Sequence, residues 1–228
     1  NLRNIYDRIV IFVVSISIYY LFPMGTPPLA IRRYMDLVLP LSDEAWAAAT
    51  AILVEQSFAK GERFAQKGRV EKKFGILTQG LFKAYTLNDN GQEAIQIIFT
   101  PLHFQTPKSY VGALRSLLTG ESNQVYIECL SPAKLWVGEY DAWRVLAQSY
   151  PEIQRWSRRM AELFVVSKEQ DAHEMISHQA EQRYENFKKR YPELEALIPQ
   201  YEIARFLHIS PTQLSRIRSA QFLRRAND

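Results

Sequence analysis

The sequence holds a single cysteine, Cys129, among 228 residues. One thiol cannot close an intrachain disulfide, form a Cys-x-x-Cys redox pair or supply a cysteine-ligated iron–sulfur cluster. Its surroundings, Val125-Tyr126-Ile127-Glu128-Cys129-Leu130, read as an apolar strand, so Cys129 is expected to act as a small buried hydrophobe in a reducing compartment. Histidine is also sparse. His103, His173, His178 and His208 form no His-x-His pair, which removes the clustered ligands of a cupin-type metal enzyme. No nucleophile, base and orienting group stand in a recognisable arrangement, so no catalytic residue, metal or cofactor is expected. A full membrane span is lacking too: Ile9–Met24 is nearly continuous apolar sequence, but its 16 residues fall short of the roughly 20 that a spanning helix needs.

That run is open to three readings: a marginal membrane anchor, a signal-like segment, or a stretch outside the working fold. Arg3 and Arg8 precede it, and Arg32 and Arg33 follow the Pro27-Pro28 break. Met35 opens Met-Asp-Leu-Val-Leu-Pro-Leu-Ser directly before the first convincing helix. Residues 1–34 are therefore read as an extension upstream of the native start, with a membrane anchor as the next choice and membrane attachment left open.

What is present supports a packed core: 47% of the residues are hydrophobic and 12% aromatic, against the low hydrophobicity of disordered chains. The formal net charge of +4 alone names no partner. Its placement says more. Between residues 200 and 225, Arg205, Arg216, Arg218, Arg224 and Arg225 face a single acid, Glu202.

From residue 35 onward the pattern changes twice. Ser42 is an N-cap candidate followed by Asp43 and Glu44, which suit a helix N-terminus, and a helix is expected over Ala45–Val54. A β-rich block follows, with short strands around Arg63–Gln66, Phe74–Thr78 and Leu81–Leu87, the last two separated by a turn at Gly80. Asn88-Asp89-Asn90-Gly91 signals a type I′ hairpin with positive φ at both central positions, returning through Glu93–Phe99. Two further strands are expected at Gln124–Leu130 and Lys134–Gly138, which together predict a small antiparallel roll or barrel. After Gly138 the sequence turns helical. Asp141 can cap a short helix ending at Tyr150, and Pro151 suits the first turn of a long one through Ile176. Ile153, Trp156, Met160 and Leu163 step by the a/d spacing of a coiled-coil seam, widened by Phe164, Val165 and Val166, and are assigned to dimerisation.

The C-terminal third carries the most specific signal. Gln200-Tyr201-Glu202-Ile203-Ala204-Arg205-Phe206-Leu207 reads as a two-turn helix, His208-Ile209 as a tight turn, and Ser210-Pro211-Thr212-Gln213 as a complete helix start. Ser210 caps, Pro211 takes the first helical position, and Gln213 supplies the reciprocal group of a capping box. Leu214 and Ile217 face inward, leaving Thr212, Gln213, Ser215, Arg216 and Ser219 outside. This is the pattern of a helix-turn-helix whose second helix enters the major groove. Arg216 can pair bidentately with guanine, whereas Arg218 is expected at phosphate.

The run from about Leu37 to Ala220 resembles the Crp/Fnr family of bacterial regulators. The resemblance rests on Phe58-Ala59-Lys60-Gly61-Glu62, Gln66-Lys67-Gly68, Gly75–Tyr85, Ala180-Glu181-Gln182-Arg183-Tyr184 and, most specifically, Ile203–Arg218. It implies a cyclic-nucleotide-binding-like roll and a homodimer whose recognition helices lie about 34–36 Å apart on a near-palindromic site. It also sets Thr212, Ser215 and Arg216 at or beside the family's base-contacting positions. One departure concerns the effector. Where cyclic-nucleotide binders place a phosphate-binding Arg and a hydroxyl residue, this chain has Asn123 and Gln124, and Gly120-Glu121 lies too close to the next strand to serve as the usual Gly-Glu pair. A buried phosphate without a cation is costly, so cyclic AMP or GMP is not the expected effector. Arg115, Glu121, Ser122, Asn123 and Gln124 remain the candidates for lining any ligand pocket.

The expected fold class is α+β: an antiparallel β-roll over 35–150, a dimerisation helix over 151–178, and a helical DNA-binding unit over 179–228, with Ser210, Thr212, Gln213, Ser215, Arg216 and Arg218 as its DNA-contacting residues. The expected partners are double-stranded DNA, a second copy of the chain and a small-molecule effector of unknown identity, in the cytoplasm. The competing reading is a membrane-attached or cytosolic ligand-sensing roll whose helix-turn-helix is structural.

Overall fold

Helix α1 (Leu29–Val38) turns Ala30, Ile31, Tyr34 and Met35 to one side at helical spacing, and all four are buried. The expected extension is corrected at its end: the helix runs unbroken through residue 34, and Ile31 and Tyr34 share one core with Met35. The structure, a computed structural model, describes residues 29–101 and 107–227, with side chains through Arg224. The apolar run Ile9–Met24 and His103 lie outside these residues. Among the described residues no helix is long and apolar enough to cross a membrane.

Helix α2 (Asp43–Ala51) begins as expected, with Ser42 Oγ accepting the Ala45 N–H at 3.2 Å. It ends at Ala51 rather than Val54, because Val54 opens strand β1 (Val54–Phe58) by pairing with Val137. Strands β2 (Arg63–Ala65), β3 (Lys73–Leu87), β4 (Glu93–Phe99), β5 (Tyr110–Val111) and β6 (Tyr126–Glu139) complete one antiparallel sheet. Its backbone is the β3–β6 ladder, from Lys73 opposite Glu139 to Tyr85 opposite Tyr126, flanked by β4 on one side and by β1 and β2 on the other.

The strands expected on either side of Gly80 are a single strand, as are those expected at Gln124–Leu130 and Lys134–Gly138. Register shifts between Leu77 and Phe82 bend the ladder without ending it. Gly80 sits at φ +80°, where a Cβ would lie 2.3 Å from the carbonyl oxygen of Pro132. The bend in β3 thus nests against Pro132 of β6, and only glycine fits. The hairpin also differs from expectation. Only Gly91 has positive φ there; Asn88 accepts the Gly91 N–H and donates its own N–H to Gln92, both at 2.9 Å. This is a type I turn closed by a left-handed glycine, the usual three-residue loop.

Helix α3 (Leu114–Thr119) stops at left-handed Gly120. Helix α4 (Tyr140–Ser149) follows β6 directly, so Glu139 holds the capping position and Asp141, the expected cap, lies in the first turn instead. Helix α5 (Pro151–Ser177) starts on Pro151 as expected. Its Ile153, Trp156 and Met160 do not form a seam for a second chain. They are buried at 0–7% exposure in a core with α1, α2, α4 and the Phe74, Ile76 and Trp136 side chains of the sheet, and Leu163 packs on the same cluster. The covering helix α1 lies mostly in the segment that the sequence assigned to an extension, which is why this stripe read as unpartnered. Val165, Val166 and Ile176 of α5 are exposed.

Four more helices follow: α6 (Ala180–Arg190), α7 (Leu194–Leu197), α8 (Gln200–Phe206) and α9 (Pro211–Asn227). Tyr184, Phe187, Tyr191, Leu194, Ile198, Ile203, Leu207 and Leu214 form their core, which is continuous with Leu81, Tyr85, Ile95, Ile98 and Leu130 on the sheet.

Candidate nucleic-acid interface and the interior of the roll

Helices α8 and α9 are joined by Leu207-His208-Ile209. His208 takes φ +54°, the only non-glycine positive φ among the described residues. Ile209 N–H bonds to the Ala204 carbonyl at 3.0 Å, and the Arg183 guanidinium reaches the Leu207 carbonyl at 3.1 and 3.3 Å and that of His178 at 2.7 Å. Backbone N–H groups satisfy carbonyls in the last turn of α8, and a cation from α6 supplies the Leu207 carbonyl just beyond them.

Ser210 Oγ accepts the Gln213 N–H at 3.1 Å, and the Ser210 carbonyl takes the Leu214 N–H at 3.0 Å. The cap is half of the expected box: the Gln213 side chain is exposed and has no partner among the described residues. Leu214 is fully buried and Ile217 partly so, fixing which side of α9 faces α8. Ser210, Thr212, Gln213, Ser215 and Arg216 are all exposed along the opposite side of the first turns. The structure therefore brings five of the six expected DNA-contacting residues to one open surface. Arg216 has no ion-pair partner among the described residues. Arg218 is partly exposed and its guanidinium pairs with Glu195 of α7 at 3.3 Å.

The five candidate pocket residues do not converge. Arg115 pairs with Glu121 at 2.5 Å on the surface, and Ser122 and Gln124 are exposed, joined by a bond from the Gln124 amide to the Ser122 carbonyl. Asn123 is buried and works as a bracket. Its side chain accepts the Val125 N–H and donates to the Val125 carbonyl, while its backbone bonds to Gly68 and Arg69. The roll interior is filled instead by Leu77, Phe82, Ile97, Phe99, Ile127 and Leu135, with Phe58 and Phe64 packed on them. Phe58, Phe64 and Phe82 meet edge-to-face at 5.4–6.4 Å between ring centroids. Cys129 is buried there as expected, its thiol pushed up to about 11 by burial.

Sequence reasoning missed a charged cluster where the roll meets the helix-turn-helix. Lys83 of β3 lies 2.5 Å from Glu93 of β4 and 3.0 Å from Glu202 of α8, and Arg205 of α8 reaches Glu93 at 3.0 Å. The Lys83 and Glu202 side chains are 3% and 5% exposed. A lysine in the middle of a strand's apolar run was the available signal.

Residues 55–150 match the cyclic nucleotide-binding domain family. The chain thus carries a cyclic-nucleotide-binding-type roll joined by a long helix to a helix-turn-helix. That is the fold of Crp/Fnr-family transcription regulators. Among solved structures, FixK2 from Bradyrhizobium japonicum superimposes with a TM-score of 0.63 at 14% identity, covering 76% of this chain and 86% of that one. A Crp/Fnr-family regulator from Eubacterium rectale gives 0.64 at 15%, covering 83% and 88%. The c-di-GMP-responsive global regulator CLP of Xanthomonas campestris gives 0.61 at 12%, covering 80% and 92%. At such identities the likeness is one of fold. No curated protein matches by sequence.

Proposed function

We propose that this protein is a sequence-specific DNA-binding transcription regulator of the Crp/Fnr type that works in the cytoplasm as a homodimer and does not respond to cyclic AMP. The observation that carries the reading is the open side of α9. A helix start built by Ser210 and Pro211 displays Thr212, Gln213, Ser215 and Arg216, which has no ion-pair partner among the described residues, while Leu214 holds the opposite side in the core. Small polar residues allow close approach to base edges, and a free guanidinium can grip guanine O6 and N7. Affinity then comes from phosphates, and sequence choice from these few side chains.

The dimer is assigned to the other side of α5. Val165, Ala172 and Ile176 are exposed there at heptad spacing, in place of the buried Ile153–Leu163 stripe. Independence of cyclic AMP is supported by a roll interior packed with side chains and by Asn123, bonded to Val125 through both ends of its amide, at the position where the resemblance sets a phosphate-binding cation. The test is a duplex selected from a random-sequence pool by the wild-type protein. Arg216→Ala should lose most of its preference for that duplex over random DNA. Equal discrimination by both proteins would remove Arg216, and with it this reading of α9.

A further inference from the structure

We infer that Lys83, although it belongs to the roll, is a positioning residue for DNA reading: it sets the angle at which the helix-turn-helix is carried. The inference rests on the proposed DNA-binding function and concerns which contacts orient the reading head.

Apolar and polar contacts join the domains, the polar ones being the Lys83 cluster and, away from α8, the bond from Lys108 Nζ to the Tyr191 hydroxyl at 2.5 Å. Ile95 and Ile98 of β4 share an apolar core with Ile203 and Ala204 of α8. Such burial is favourable in many relative orientations, because the hydrophobic effect has no direction. The Lys83 cluster does have one. Its ammonium lies 3.0 and 3.3 Å from the two oxygens of Glu202 and 2.5 Å from Glu93, over the ring of Tyr85 at 4.8 Å. Arg205 closes the square by spanning Glu93 and Glu202 at 3.0 and 3.7 Å. A rotation of α8 by a few ångströms breaks these contacts while leaving much of the apolar contact intact.

The charges are arranged so that neither half is stranded when the domains part. Lys83 and Glu93 remain paired on the sheet, and Glu202 and Arg205 remain paired one turn apart on α8. The cluster therefore specifies geometry more than it adds stability, the best-supported use of buried ion pairs. Glu202 sits in the first helix of the motif, and α9 is packed onto that helix through Leu214, so the constraint passes to Arg216.

The test compares wild type, Lys83→Met, and the charge-exchanged pair Lys83→Glu with Glu202→Lys in the full-length protein. Spin labels are placed on introduced cysteines at exposed Asp89 of the roll and Lys189 of α6; the native Cys129 is buried. Methionine keeps the length of the lysine but leaves two carboxylates facing each other. Without DNA, the label-to-label distance should be narrow in wild type, broad in Lys83→Met and narrow again in the exchanged pair. If the reading orientation falls to a tenth of the population, affinity for the selected duplex drops about tenfold, and the exchanged pair restores it. The melting temperature of each variant separates this from simple unfolding, because loss of fold would not be rescued by reversing both charges. An unbroadened distance in Lys83→Met, or broadening with unchanged duplex affinity, overturns the proposal. A wild-type protein that selects no duplex overturns the DNA reading itself and the positioning role with it.

Discussion

The indole N–H of Trp156 donates to the backbone carbonyl of Met35, 121 residues earlier, at 3.0 Å. This bond ties the long helix to the N-terminal helix through a side chain that is almost wholly buried. Trp156→Ala should destabilise the chain by about 3–5 kcal/mol, the usual cost of emptying a large aromatic site. Thermal denaturation checks it. A folded, fully stable variant that merely dissociates would return Trp156 to the subunit interface.

Association itself is expected to answer to the opposite side of the same helix. Ile176→Glu, at the most exposed large apolar residue of α5, should shift the protein from dimer to monomer with little change in melting temperature. Light scattering at micromolar concentration decides; an unchanged mass would place the contact elsewhere.

Gly80 combines φ +80° with a neighbouring carbonyl where a Cβ would be. Gly80→Ala should destabilise by more than about 1 kcal/mol, whereas at a site that tolerates a Cβ the same change stabilises by about 0.4–1 kcal/mol. The denaturation midpoint of this variant, compared with that of Gly91→Ala, isolates the steric part, since a Cβ at Gly91 meets nothing within 4 Å.

Lys108 is buried with its Nζ 2.5 Å from the Tyr191 hydroxyl and 3.7 Å from Asp171, and burial lowers its pKa to about 8. The folded state thus releases this proton more readily than the unfolded chain, whose lysine titrates near 10.5. The unfolded state holds more protons between those values, so the Lys108 contribution to stability rises with pH from about 8 upward. From about pH 9 the buried Cys129 thiol, raised to about 11, and from about pH 10 the buried Tyr34, raised to about 12, work in the opposite sense and cap the gain. Urea denaturation at pH 7.5 and 9.5 should show the increase in wild type and lose it in Lys108→Met.

Binding to the selected duplex should weaken steeply with salt, the logarithm of affinity falling by about 0.9 for each phosphate neutralised per logarithm of salt. Because Arg218 is engaged with Glu195, Arg218→Ala should change that slope by less than one phosphate. A full unit of change would show that the pair opens on DNA.

The helix-turn-helix was legible because its signals are local: a capping serine, a proline at the first helical position and a short turn lie within a few residues of one another. The long strands were not, because Gly80 and the register shifts around it look like chain reversals when only one strand is in view. The Ile153–Leu163 stripe showed correctly that one side of the helix is covered, but spacing carries no information about which chain covers it. The Lys83 cluster joins residues 119 positions apart, a distance at which no pattern in the sequence pairs a lysine with its glutamates.

Phe58, Phe64 and Phe82 pack edge-to-face against one another in the interior cluster of the roll. Phe82 is fully buried and Phe58 and Phe64 partly so, and exposing the Phe82 side chain alone costs about 1.5–3 kcal/mol. A guest that displaced this ring would have to bind tightly enough to offset that cost, so the aromatic cluster acts as a stopper.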